Sequence, residues 1–132
     1  MYPDDGRVVP AFCAPALAGD TLRVGGGGTQ TRSLTYVDDF VGGLVTMLDS
    51  PHFGPINLGS DTEVSIRQLA EHVVELAGTG ALEIASERDD DVMTVRRPDL
   101  TRARNLLSWQ PHTPLSDGIA RTLEWMREVS EP

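Results

Sequence analysis

Ser65 and Gln68 stand three residues apart at the head of an apolar stripe, Ile66, Leu69, Ala70, Val73, Val74 and Ala77, and Gly78 stands at its end. A hydroxyl at the N-cap and an amide three residues later satisfy each other's backbone N–H groups, and glycine tolerates the left-handed turn that ends a helix. The segment therefore predicts one well-bounded helix with a single inner face. Val37, Phe40, Val41, Leu44, Val45 and Leu48 make a second stripe, with Asp38 as its expected cap and Ser50-Pro51 as its stop. Three further helices are predicted: Val9 to Leu17, closed by Gly19 and kinked at Pro15; Leu100 to Leu107 after Asp99; and Leu115 to Met126 after Thr113-Pro114. Between them, Asp20 to Val24, Pro55 to Gly59 and Leu82 to Ala85 read as strands and Ser33 to Tyr36 as extended chain. Helices and strands alternate along the chain, so the fold class is α/β. With 132 residues, no repeat and no linker beyond the run Gly25 to Gly28, residues 1–132 read as one domain.

Charge narrows the partners. Eleven Lys plus Arg, all of them Arg, face twenty Asp plus Glu, a net charge of -9. Such a field repels phosphate backbones and anionic lipid, so neither nucleic acid nor a membrane surface is expected as a partner. An anionic ligand could bind only where several Arg gather locally. The lack of Lys also removes Schiff-base chemistry, a P-loop lysine and any tyrosine-lysine proton relay. Cys13 is the only cysteine, which rules out an internal disulfide and makes a reducing cytoplasm the simplest setting. No stretch approaches the roughly 20 apolar residues of a membrane span.

Most single motifs have a plain structural reading. His52, His72 and His112 lie far apart and at no metal-ligand spacing, so no metal site is expected. Gly25 to Gly28 lacks both the G-x-G-x-x-G spacing and a following helix, which makes it a loop rather than a phosphate cradle. Asp38 and Asp39 are adjacent at a helix start, a placement that suits capping better than paired acid-base catalysis. The acidic run Glu87 to Asp91 reads as a solvated loop.

An ordered set of segments goes further: Gly6-Arg7-Val8-Val9-Pro10, Leu22-Arg23-Val24-Gly25, Thr29 to Ser33, Tyr36-Val37-Asp38-Asp39, Ile56-Asn57-Leu58-Gly59 and Arg96-Arg97-Pro98-Asp99. In this order the chain resembles the C-terminal part of extended short-chain dehydrogenase/reductases acting on nucleotide sugars, above all the UDP-glucuronate decarboxylases. The ending Leu106-Leu107-Ser108-Trp109-Gln110-Pro111, with Pro114-Leu115 and Gly118, is similar to the family's LGWEP-x-x-x-L-x-x-G close.

The resemblance implies a small mixed α/β substrate-binding domain whose relatives carry an N-terminal, NAD-binding Rossmann domain absent from these residues. It places Arg7 and Val8 along the nucleotide, Leu22, Arg23 and Val24 past the base, and Arg32 at the diphosphate. Asn57 would touch the ligand, and Arg96 would stand beside the sugar and its carboxylate as the one catalytic candidate. A guanidinium presents a planar fork of donors that matches either anion. The family oxidises the sugar C4 with bound NAD, releases the carboxylate as carbon dioxide and reduces C4 again. The implied partners are a UDP-sugar and a Rossmann half that holds NAD. The chain alone would bind no cofactor and would expose the Asp39 to Leu48 helix and Ile56 to Leu58 strand, favouring self-association. Gly25 stands where relatives usually carry an aromatic, so base selectivity is open. A 4,6-dehydratase or 4-epimerase, or a stand-alone binding module, are the alternatives.

Overall fold

The computed structural model describes residues 6–85 and 96–130; the acidic run Glu87 to Asp91 lies outside them. In chain order the elements are α1 (Val8–Ala18), β1 (Thr21–Val24), a 3₁₀ turn (Gly26–Gly28), β2 (Thr31–Ser33) and α2 (Val37–Leu48). Then come β3 (Glu63–Ser65), α3 (Ile66–Ala77), β4 (Ala81–Ile84), α4 (Thr101–Leu107) and α5 (Leu115–Ser130). The mixed α/β composition is as the sequence implies.

The reciprocal hydrogen bonds at the head of α3 are present: Gln68 N donates to Ser65 Oγ at 3.1 Å, and Ser65 N donates to Gln68 Oε1 at 3.0 Å. Gly78 closes the helix at φ 71°. Buried along the inner face of α3, Leu69, Ala70 and Val73 pack with Phe12, Cys13 and Ala16 of α1 and with Ile119, Leu123 and Met126 of α5. Leu22 and Val24 of β1 complete this main core. β1 pairs in parallel with β4, Thr21 opposite Ala81 and Val24 opposite Ile84, while β2 pairs antiparallel with β3, Arg32 opposite Val64. A second, smaller apolar cluster gathers Ile56, Leu100, Ala103, Leu107 and Trp109.

Several boundaries differ from expectation. α1 runs through Pro15 to Ala18 before Gly19 turns left-handed at φ 79°. α2 begins at Val37 with Tyr36 as its N-cap and no side-chain cap, so Asp38 is not the cap. It lies inside the first turn, where its charge still complements the helix dipole. Pro55 to Gly59 is not a strand: Ile56 is buried and Asn57 exposed in strand-like alternation, but no neighbouring chain among the described residues supplies a ladder. The regular strand near residue 33 is Thr31–Ser33, and the chain beyond it to Tyr36 is irregular.

Cys13 has no exposed surface, and burial pushes its thiol up to about 11. Since the thiolate is the reactive form, a thiol reagent at pH 8 is expected to leave Cys13 unmodified in the folded chain. It should react fully once urea has unfolded the protein, which absorbance at the reagent's chromophore would follow.

Candidate functional site

The residues assigned to a ligand are spread over three elements and two loops. Arg7 is the exposed N-cap of α1, and Val8, its first helical residue, packs partly against the main core. Leu22 and Val24 turn their side chains into that core and are 1% exposed, so only their main-chain atoms can meet a ligand. Arg23, between them, faces outward and lies 3.3 Å from Glu83, its ladder partner on β4. Both side chains are largely exposed, so the pair adds little stability.

Arg32 on β2 donates to the Thr31 carbonyl at 2.8 Å and to Gln30 Oε1 at 3.1 Å. These bonds hold the guanidinium in one orientation and leave part of its donor fork for an anion. The same strand leads to the other arginines. Thr31 Oγ1 donates to Glu63 Oε1 at 2.7 Å, and Glu63 Oε2 lies 3.9 Å from Arg97 Nη1. Arg97 is thus turned toward β3; Arg96 is exposed in the irregular segment before Pro98. Asn57 is exposed, and its Nδ2 donates to the Asp99 carbonyl at 3.1 Å, which ties the Ile56 to Leu58 segment to the head of α4.

Two connected hollows lie beside these groups. One, of about 410 Å³, is bounded by Asp61, Arg97, Asp99 and Arg104; the other, of about 450 Å³, shares Asp61 and Arg104 and reaches His72 and His112. Arg104 Nη2 donates to Asp61 Oδ2 at 2.7 Å, and that hydrogen bond holds the Asp61 carboxyl below its ordinary value. The Thr101 hydroxyl and N–H do the same for Asp99. Sequence reading did not single out Asp61, Glu63 or Arg104. Their convergence depends on contacts across 32 to 43 positions of chain, which no local spacing reveals.

Asp39, read as a helix-start acid, does something else. It is 2% exposed, and its Oδ2 accepts from the N–H groups of His112 at 3.2 Å and Thr113 at 2.8 Å. Its Oδ1 accepts no hydrogen bond among the described residues and lies 2.8 Å from His112 Nδ1. Burial pushes this carboxyl up, but the hydrogen bonds from Thr113 and His112, with the nearby imidazole, outweigh it and hold it below 3.8. A depressed carboxyl contributes stability above its unfolded value, and that contribution is lost as pH falls through the lower folded value. Urea midpoints followed by circular dichroism are therefore expected to be level from about pH 7 to 5 and to fall below about pH 4, with a shallower fall in Asp39→Asn.

Gly26–Gly28 make a 3₁₀ turn that leads into β2, not to a helix whose first N–H groups could receive a pyrophosphate. No group of three or more His, Cys, Asp or Glu among the described residues is arranged to hold a metal ion, and no helix among them is long and apolar enough to cross a membrane.

Comparison with known proteins places this arrangement. The sequence profile of the NAD dependent epimerase/dehydratase family matches residues 2–59. UDP-glucuronic acid decarboxylase 1 of Xenopus tropicalis is 42% identical over 132 residues, which is 99% of this chain and 31% of that protein. UDP-glucuronic acid decarboxylase 5 of Arabidopsis thaliana is 42% identical over 119 residues, 90% of this chain and 35% of that protein. The chain thus spans about a third of the length of the curated relatives it matches. Among solved structures, an epimerase from Methanothermobacter thermautotrophicus aligns with a TM-score of 0.83 at 32% identity over 92% of this chain and 37% of its own. UDP-glucuronic acid 4-epimerase from Bacillus cereus, in complex with UDP-glucuronic acid and NAD, aligns with a TM-score of 0.82 at 25% identity over 98% of this chain and 41% of its own. The chain resembles part of the extended short-chain dehydrogenase/reductases that act on nucleotide sugars, and its fold is a partial piece of that architecture.

Proposed function

We propose that this chain, similar over nearly its whole length to UDP-glucuronic acid decarboxylases, is the substrate-holding part of an enzyme that converts UDP-glucuronate to UDP-xylose with loss of carbon dioxide. The observation that carries the reading is the 42% identity across 99% of the chain to a decarboxylase. The solved epimerases match at 25 to 32% over similar spans, which supports the family more than the reaction. In this reading Arg32 holds the diphosphate, Arg96 stands at the carboxylate, and Arg7, Val8, Leu22, Arg23, Val24 and Asn57 line the rest of the ligand. NAD belongs to a remaining part, which corresponds to the other two thirds of the curated relatives.

The outer face of α2 supports that division. Val37, Val41, Leu44, Val45 and Leu48 are exposed, Leu48 to 84%, and Phe53 just beyond is exposed to 93%. Contiguous apolar surface of this kind marks a place where another surface sits. We assign it to the NAD-binding part. A single buried thiol suits a reducing compartment, and we place the enzyme in the cytoplasm.

The test supplies the corresponding remaining part of a related decarboxylase, fused before Met1 or co-expressed. UDP-glucuronate should then yield carbon dioxide and UDP-xylose, read by proton NMR, whereas the 132-residue chain alone should neither bind NAD in calorimetry nor turn over substrate. Formation of the 4-epimer without carbon dioxide would replace the decarboxylase by the epimerase reading. No turnover in a well-assembled complex would leave the binding-module reading.

A further inference from the structure

Asp39 is the one charged residue buried among the described residues, and it sits where α2 joins the rest of the fold. Among the described elements α2 packs mainly on α4, and its Met47 joins the second apolar cluster beside Leu58. What else holds the helix is a clasp around Asp39. Its carboxylate takes the N–H groups of His112 and Thr113 and faces His112 Nδ1, while its own carbonyl accepts from Trp109 Nε1 at 3.1 Å. One turn on, Gly43 lies close against the Trp109 ring and Leu58: a Cβ there would come within 2.8 Å of Trp109 Cε2 and 3.1 Å of Leu58 Cδ1.

The two halves of this clasp differ in kind. The contact between Gly43 and Trp109 is apolar and tolerates sliding, as dispersion contacts have no preferred direction. The carboxylate bonds are directional and short, and a buried charge persists only where its donors stay in place. A helix gripped along one narrow row can roll about its axis, and successive residues are 100° apart around that axis. A roll of that size would carry the row Val37, Val41, Leu44 and Leu48 away from whatever it faces.

We infer that Asp39 is a positioning residue that fixes the rotation of α2, and so the direction in which its apolar face is offered to the NAD-binding part. The identity of the occupant rests on the function proposed above; the fixing of α2 does not. Asp39 itself lies on the inner side of α2, 2% exposed.

Amide hydrogen exchange of the 132-residue chain, followed by mass spectrometry, tests the first half. In Asp39→Ala the amides of Phe40 to Leu48 should exchange at least tenfold faster, while those of Leu69 to Val73 in α3 and Ile119 to Leu123 in α5 keep their rates. Asp39→Asn retains one acceptor oxygen for the two N–H groups, so it should restore most of the protection, to within about threefold. Binding of the separately expressed remaining part tests the second half, with affinity at least tenfold weaker for Asp39→Ala and largely recovered for Asp39→Asn. Unchanged α2 exchange in both variants would overturn the inference. So would equal acceleration in α3 and α5, or failure of both variants to fold, since Asp39 would then serve general stability. If α2 loosens as stated but the wild-type chain shows no affinity for the remaining part, the positioning role stands and the docking reading fails.

Discussion

Replacing Arg96 by Ala in the assembled enzyme is expected to lower kcat about 10²- to 10³-fold with little change in KM, the loss typical of removing one well-placed donor to developing charge. Arg96 and Arg97 lie in an irregular segment before Pro98, and a residue directly before proline is held out of the helical region. Neighbouring side chains in extended backbone point to opposite sides. Arg97 is turned toward Glu63, 3.9 Å away, and on that alternation Arg96 would face away from β3. If that other side is the sugar's, its charge would orient the carboxylate and stabilise the enolate left by carbon dioxide. Arg97→Ala should keep kcat within about threefold, because an exposed ion pair at that distance contributes little. Arg32→Ala removes binding common to ground and transition states and should raise KM about 10- to 100-fold instead. Steady-state kinetics of the three variants separates these outcomes. Loss of turnover in Arg97→Ala but not Arg96→Ala would shift the assignment by one residue. Full turnover in both would remove either arginine from the catalytic role.

Gly28→Ala should destabilise the chain by about 3 kcal/mol, one of the largest effects of any single methyl added to this fold. Gly28 sits at φ 68°, and a Cβ there would lie 2.7 Å from Val24 Cγ1, 2.8 Å from Arg67 Cβ and 2.9 Å from Arg67 N. The last of these is backbone at the start of α3 and cannot turn aside. Left-handed strain adds about 1 kcal/mol and the overpacking about 2 more. Gly25→Ala is the matched control: φ is −76° and nothing lies within 4 Å of the added carbon, so stability should change by less than about 0.5 kcal/mol. Urea unfolding of the two variants, read at equal slope, gives the comparison.

The two glycines read identically in the sequence, and that is a fair measure of what was legible. α3 was readable to the residue because its cap, stripe and stop are all local. Asp38 was misplaced as a cap because the true boundary at Tyr36 carries no side-chain signal. The stripe on α2 told that the helix had an apolar face, but a stripe does not say what covers it, and here the described residues leave it open. Asp39 looked like one of two helix-start acids; its partners lie 73 and 74 positions away. The same distance hid the grouping of Asp61, Glu63, Arg97 and Arg104, whereas the ligand roles of Arg32, Asn57 and Arg96 came from resemblance and not from spacing.

The parallel pairing of β1 with β4 has a consequence for how the chain reaches this fold. Thr21 and Ala81 must meet across sixty positions, with α2 and α3 in between. Closing such a loop costs chain entropy before any ladder bond returns stability. The α3 helix, with all its signals local, can form in about a microsecond, while a contact of that separation waits on collision of distant segments. The rate-limiting step should therefore bury Leu22 and Val24 with α3 already in place. Substitutions in β1 would then slow refolding, and substitutions on the outer row of α2 would leave its rate unchanged.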